Sequence, residues 1–212
     1  MSGIFGMNIK MAIYGESHGK SIGVVLDGLP PGLALDEAAI AAEMARRAPG
    51  QNALSTARKE SDTVEIQSGF FNGFTTGTPL CARIVNSDQH SKDYSILADK
   101  MRPGHADYAG HVRYQGFNDY RGGGHFSGRL TAPLVFAGAV AKQALAQYGI
   151  VVGSHILQIN DIKEERFNPM GVSDAALAAL HAKKFAVMND AVGEKMQERI
   201  LQAKSELNSV GG

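Results

Sequence analysis

Three short segments of this chain place histidine beside glycine and charge. They are Gly15-Glu16-Ser17-His18-Gly19, then Arg102-Pro103-Gly104-His105-Ala106-Asp107-Tyr108, then Gly122-Gly123-Gly124-His125-Phe126-Ser127-Gly128-Arg129. An imidazole gives or takes a proton near neutral pH, because its ordinary pKa lies there. Glycine lets one backbone approach a ligand or another loop closely. Consecutive glycines ahead of a helix let N–H groups point at an anion, and an arginine fork binds carboxylate or phosphate. The chemistry expected of such a site is proton transfer on a small anionic substrate. Each segment also has a plainer reading. His18 fits a loop histidine bonded to backbone, Asp107 a turn residue bonding local backbone, and the glycine run a flexible turn.

Charge supports a small anion over a large one. Twenty-one basic and 21 acidic residues cancel, which argues against nucleic acid or an anionic membrane as partner. Between Arg102 and Arg129, however, four arginines (102, 113, 121, 129) face two aspartates (107, 119), with three histidines (105, 111, 125) among them. A solvated surface segment is the competing account of that patch.

Other chemistries are excluded by spacing. Gly15 to Ser21 has three residues where a phosphate-binding P-loop needs four before Gly-Lys-Ser, and β-rich sequence follows where that loop needs a helix. The seven histidines include no i, i+4 pair on a helix and no His-Glu-x-x-His, so no metal site is expected. Cys81 is the one cysteine, which rules out an internal disulfide and a cysteine zinc site. No signal peptide and no apolar stretch near the ~20 residues of a membrane span are present, so the expected compartment is the cytoplasm.

The elements that must position these segments follow from periodicity. Asn8–Tyr14 and Ser21–Leu26 read as strands, and Asp27 to Gly32 as a turn. Asp36 caps a helix over Glu37–Arg47, with acid early and base late as the helix dipole favours. Alternation predicts a half-buried strand over Thr63–Phe71, and Leu80–Val85 predicts another. Asp88–Asp107 lacks periodicity and reads as a long loop. Thr131–Tyr148 is apolar nearly all round and predicts a helix buried on most sides. Beyond it come a strand over Ile150–Ile159, a short helix capped by Ser173, and an amphipathic helix over Asp190–Glu206. No repeat or linker interrupts the chain, so one domain is expected over residues 1–212. The ending, Asn208-Ser209-Val210-Gly211-Gly212, has the grammar of a turn into a further element.

Taken in order, these motifs resemble the chorismate synthase family from Met7 onward. The residues carrying the resemblance include Gly15 to Gly19, Asp27-Gly28-Leu29-Pro30, Arg46-Arg47 before Pro49-Gly50, and Glu60-Ser61-Asp62-Thr63-Val64. Thr75 to Pro79, Arg102 to Tyr108, and Asp119 to Gly124 continue it. The resemblance implies an α+β fold, a β-α-β sandwich with helices packed between antiparallel sheets, and a homotetramer. It implies anti-1,4-elimination of phosphate from 5-enolpyruvylshikimate 3-phosphate, giving chorismate for aromatic amino-acid biosynthesis. It also implies a requirement for reduced FMN without net redox change, the cofactor carrying the hard step. Carried over by position, the resemblance implies that His18 is the acid toward the departing phosphate and that His105 protonates the reduced flavin. It further implies that Arg47, Arg102 and Arg129 hold phosphate and carboxylates, and that His125, Phe126 and Ser127 contact flavin.

Three departures from the family pattern stand out. The usual Arg-Ser-Ser-Ala-Arg-Glu after the glycines is here His125-Phe126-Ser127-Gly128-Arg129-Leu130. Ala53 replaces a second basic residue. Family members are also considerably longer than this chain. The rival reading is therefore a non-catalytic piece of such an enzyme that binds flavin or a partner chain.

Overall fold

The computed structural model describes residues 3–50, 54, 61–87 and 91–212, the side chains of residues 91–93 and 95 excepted. Ala53, Glu60 and the start of the expected loop at Asp88 lie outside the described residues. The architecture is mixed helix and antiparallel sheet, the α+β class expected. Two compact units are formed, one within Met1–Pro49 and Arg58–Ala144, the other within Gly50–Ala57 and Leu145–Gly212.

The first unit is built on a five-stranded sheet. Its strands are β1 (Ile4–Phe5), β2 (Lys10–Gly15), β3 (Ser21–Asp27), β4 (Val64–Ser68) and, beyond the short hairpin β5 (Phe70–Phe71) and β6 (Phe74–Thr75), β7 (Leu80–Val85). Their order is β1-β2-β3-β7-β4, all pairs antiparallel. The register sets Ile22 opposite Ile84, Val24 opposite Ala82 and Leu26 opposite Leu80. Opposed residues of an antiparallel pair share a face, and all six are buried. Helix α1 (Glu37–Arg47) adds Ile40 and Met44 to this core, and α3 (Thr131–Ala146) adds Phe136, Ala139 and Val140. Asp36 caps α1 as expected, its carboxylate accepting from the N–H groups of Ala38 and Ala39.

Several sequence expectations shift in detail. The strand expected over Thr63–Phe71 breaks at Gly69, whose φ of +79° and neighbouring bulge end β4 at Ser68. The long loop before Asp107 contains a 3₁₀ stretch at Ser91–Ala98, and α2 (Asp107–Arg113) begins where the loop was expected to close. Both are short, and short helices lack the repeated apolar stripe that periodicity detects. Helix α3 is buried along one side and exposed at Thr131, Leu134, Gly138 and Ala141, so the all-apolar sequence overstated its burial.

The second unit holds the hairpin β8 (Gln158–Ile159) and β9 (Ile162–Lys163), then α4 (Asp174–Ala182) and α5 (Asp190–Ser205). Leu180, Val187, Met196 and Ala203 are its buried hydrophobic residues among those described. Ser173 caps α4 as expected, accepting from Ala176 N–H. The strand expected over Ile150–Ile159 is present only at its last two residues. A β-branched run becomes a strand only with a partner ladder, and among the described residues Ile150–Leu157 has none. Among the described residues, no helix is long and apolar enough to cross a membrane.

Candidate active site

The three histidine-glycine segments meet in the first unit, and the glycines are what let them meet. Gly122, Gly123 and Gly124 all have positive φ, at 58°, 86° and 55°. A side chain at Gly122 would overlap the His18 ring and Ser17 Oγ, one at Gly123 would overlap the His105 ring, and one at Gly124 would overlap the Asp119 carbonyl. Two successive glycines therefore each support one imidazole. The run is a contact surface as well as a turn, and only glycine supplies both the conformation and the space.

The His18 loop is the connection between β2 and β3. Ser17 N–H donates to Gly124 C=O (3.1 Å), joining the two loops through backbone. Ser17 Oγ lies 2.7 Å from His18 Nδ1 and donates to Gly122 C=O at 3.3 Å. Ser17 therefore ties the His18 ring to the glycine run through Gly122. His18 is buried and makes an edge contact with Tyr94, ring centroids 4.8 Å apart.

His105 is more open, and its carboxylate neighbour is otherwise engaged. Asp107 accepts from Arg102 three times, from N (3.0 Å), Nε (2.8 Å) and Nη2 (3.0 Å). Those hydrogen bonds outweigh burial and hold the Asp107 carboxyl down at about 2. His105 Nδ1 lies 3.0 Å from Asp107 Oδ1 but off the line of a hydrogen bond. Asp107 thus takes the local role foreseen for it, bonding the Arg102 backbone, and touches the imidazole as well.

The cations of the patch are largely engaged with internal acids. Arg121 is held by Asp119 through Nε (2.8 Å) and Nη2 (2.7 Å), and this hydrogen bonding depresses the Asp119 carboxyl. Arg129 and Arg47 both donate to Asp62, a fully buried aspartate at φ 50°. Arg129 Nε also donates to Asn86 Oδ1 at 3.2 Å. Arg129 is 3% exposed at its side chain, Arg47 20% and Arg102 37%. Sequence reading did not single out Asp62, Asn86 or Tyr94 as site residues. The one available signal was a polar residue directly after an apolar strand, at Asn86.

The residues replacing the family's usual glycine-loop sequel divide in two directions. His125 Nδ1 sits 2.9 Å from Gly15 C=O, tying the glycine run to the end of β2. His125 and Ser127 line a cavity of about 300 Å³ with Phe5, Ile13, Leu134 and Thr131. Phe126 turns to α2, where its Cε2 would stand 2.7 Å from a Cβ at Gly110 and its ring tilts against Tyr114. A mostly apolar cavity with a few convergent polar groups suits a planar heteroaromatic ring, so the residues present fit the ring portion of a flavin.

Comparison with known proteins agrees with this geometry. The family model described as chorismate synthase matches residues 9–212. A chorismate synthase of Sulfurimonas denitrificans is 47% identical over 208 residues, covering 98% of this chain and 56% of the relative. Those of Cytophaga hutchinsonii and Pyrococcus abyssi are each 42% identical, with 58% and 56% of the relative covered. A crystal structure of a chorismate synthase superposes with a TM-score of 0.72 at 27% identity, over 97% of this chain and 56% of that one. The chain thus spans somewhat more than half the length of the curated relatives it matches. The family model matches nearly the whole chain and the fold superposes over 97% of it, and the chain belongs to the chorismate synthase family.

Proposed function

We propose that this chain carries the imidazole-bearing part of a chorismate synthase active site, acting on 5-enolpyruvylshikimate 3-phosphate by 1,4-elimination. The observation that carries the reading is the support of His18 and His105 on adjacent glycines of one turn. That arrangement ties two proton-transfer groups to one short turn. His18 delivers a proton from its imidazole to the phosphate oxygen as the C–O bond breaks, so that phosphate leaves with its charge reduced. His105 supplies a proton on the flavin side. Arg47 and Arg102 reach solvent and take the anionic groups of the substrate, while Arg129 contributes fixed positive charge from behind the wall. Of the three expected flavin contacts, His125 and Ser127 line the cavity and would hold reduced FMN, whereas Phe126 packs against α2. When bound, that cofactor would lend an electron to the substrate transiently and take up the ring hydrogen, so that the elimination balances without net redox change. Family membership also supports the cytoplasm as the place of action and a homotetramer as the assembly.

The test is a chimera in which this chain replaces the matching 208 residues of the Sulfurimonas denitrificans relative. It is assayed anaerobically with reduced FMN and 5-enolpyruvylshikimate 3-phosphate, following chorismate absorbance. Turnover is the expected result. A folded chimera that forms no chorismate would return these loops to the binding-only reading.

A further inference from the structure

We propose that Asn86 is a positioning residue of the His18 loop, its side chain clamping both ends of the turn that carries the imidazole. Asn86 follows β7 directly and is buried. Its amide Nδ2 donates to Glu16 C=O at 3.0 Å and to Gly19 C=O at 2.9 Å, the residues flanking Ser17 and His18. Its backbone N–H donates to Lys20 C=O at 3.2 Å, extending the same grip by one residue. Its Oδ1 accepts from Arg129 Nε, and Arg129 is anchored in turn on Asp62. A line of contacts therefore runs from a fully buried aspartate, through a buried arginine, to the turn that holds His18.

The residue type is demanded by this geometry. Two donations from one group plus one acceptance on the same planar side chain is the inventory of a primary amide. Aspartate keeps the acceptor for Arg129 but sets oxygen against two carbonyl oxygens. Alanine loses everything except the backbone bond, and glutamine carries the same amide one carbon too far. Arg129, anchored on Asp62, has a second task besides charge, since its bond to Oδ1 helps to fix the plane of the Asn86 amide. The role in turnover rests on the proposed reading of His18, whereas the clamp itself does not.

The experiment separates those two. Amide hydrogen exchange of the 212-residue chain is followed by NMR for wild type, Asn86→Asp and Asn86→Ala, with strand amides at Val24 and Ala82 as internal reference. Each variant is expected to raise exchange at Ser17 and Gly19 by about tenfold or more over the reference amides, since two hydrogen bonds of ~1 kcal/mol each are lost. In the chimera, Asn86→Asp is expected to lower kcat at least tenfold with KM within about twofold, the signature of a displaced acid rather than lost substrate contacts. Unchanged exchange in Asn86→Asp would overturn the clamp, leaving Asn86 as a support for Arg129 alone. A rise spread evenly over all amides would overturn it too, as global destabilisation. A loosened loop with unaltered kcat would overturn the positioning role. An inactive unmodified chimera would sink the proposed function, while the exchange data still decide the clamp.

Discussion

Two histidine–carboxylate pairs in this molecule have the same 3.0 Å separation and opposite characters. In the first unit His105 Nδ1 approaches Asp107, whose oxygens are claimed by Arg102, and the pair lies beside the glycine run at a partly open surface. In the second unit His155 Nδ1 hydrogen-bonds Glu164, which also accepts from the N–H groups of Met188 (2.9 Å) and Asn189 (2.6 Å). The side chains of His155 and Glu164 are buried, and His155 packs on Phe167 with ring centroids 4.2 Å apart. One imidazole stays partly open, beside a carboxylate engaged by Arg102, while the other is closed into a buried node. Distance to a carboxylate does not separate these roles; the carboxylate's other partners and access to solvent do.

The sharpest way to break the comparison is turnover. In the chimera, His18→Ala and His105→Ala should each lower kcat by about 10²–10⁴-fold, the usual worth of a positioned acid. His155→Ala, assayed below its unfolding temperature, should leave kcat within about threefold. Near wild-type rates in His105→Ala, or a collapse in His155→Ala, would reverse the assignment.

Stability should rank the pairs the other way. Glu164→Ala removes the acceptor of two part-buried backbone donors and of a buried imidazole, and should cost about 3 kcal/mol. Asp107→Ala should cost about 1–2 kcal/mol, because the released Arg102 can turn to water. Urea unfolding of both variants measures the difference, and equal losses would erase the contrast.

Acid titration gives a smaller and more specific effect. The Asp107 carboxyl is lowered to about 2 by Arg102, so its contribution is fully present above its ordinary pKa and lost as pH falls toward 2. The amount is on the order of 2 kcal/mol. Glu164 has the same sign: burial works to raise it, but the Asn189 and Met188 N–H groups and His155 together hold it lowered. The stability gap between wild type and Asp107→Asn should narrow between pH 5 and pH 2. A gap that stays constant over that range would remove the linkage.

The smallest effect probes the departure at Phe126. Gly110→Ala adds helix propensity worth about 1 kcal/mol in α2, but its Cβ meets the Phe126 ring. The substitution should be near neutral alone and stabilising by about 1 kcal/mol in a Phe126→Ala background. A double-mutant cycle without coupling would show that Gly110 and Phe126 are not matched.

How much of this was legible beforehand differs by element. Helices α1 and α5 carry charge order within a few residues and were found within one residue of both ends, while α4 was placed by its Ser173 cap alone. The strand expected at Ile150–Ile159 failed because β structure depends on a partner that local sequence does not contain. At the site, the histidines and glycines announced themselves by type. Asp62 and Asn86 did not, since an aspartate before a strand and an asparagine after one are ordinary turn residues.

The sequence by itself determined the chemical inventory, namely two imidazoles in glycine-marked turns, a run of three glycines, and arginines in excess over local acid. Local chemistry also placed the helix caps and the main strands. Only the tertiary structure decided which glycine faces which histidine and which arginines are spent on buried aspartates. The bonds that decide this join residues 43 to 105 positions apart, such as Arg129 to Asn86, Arg129 to Asp62, and Ser17 to Gly122. Such partners are brought together by antiparallel register across β2, β3 and β7 and by left-handed glycines. Neither leaves a periodic signal that a reading along the chain can detect.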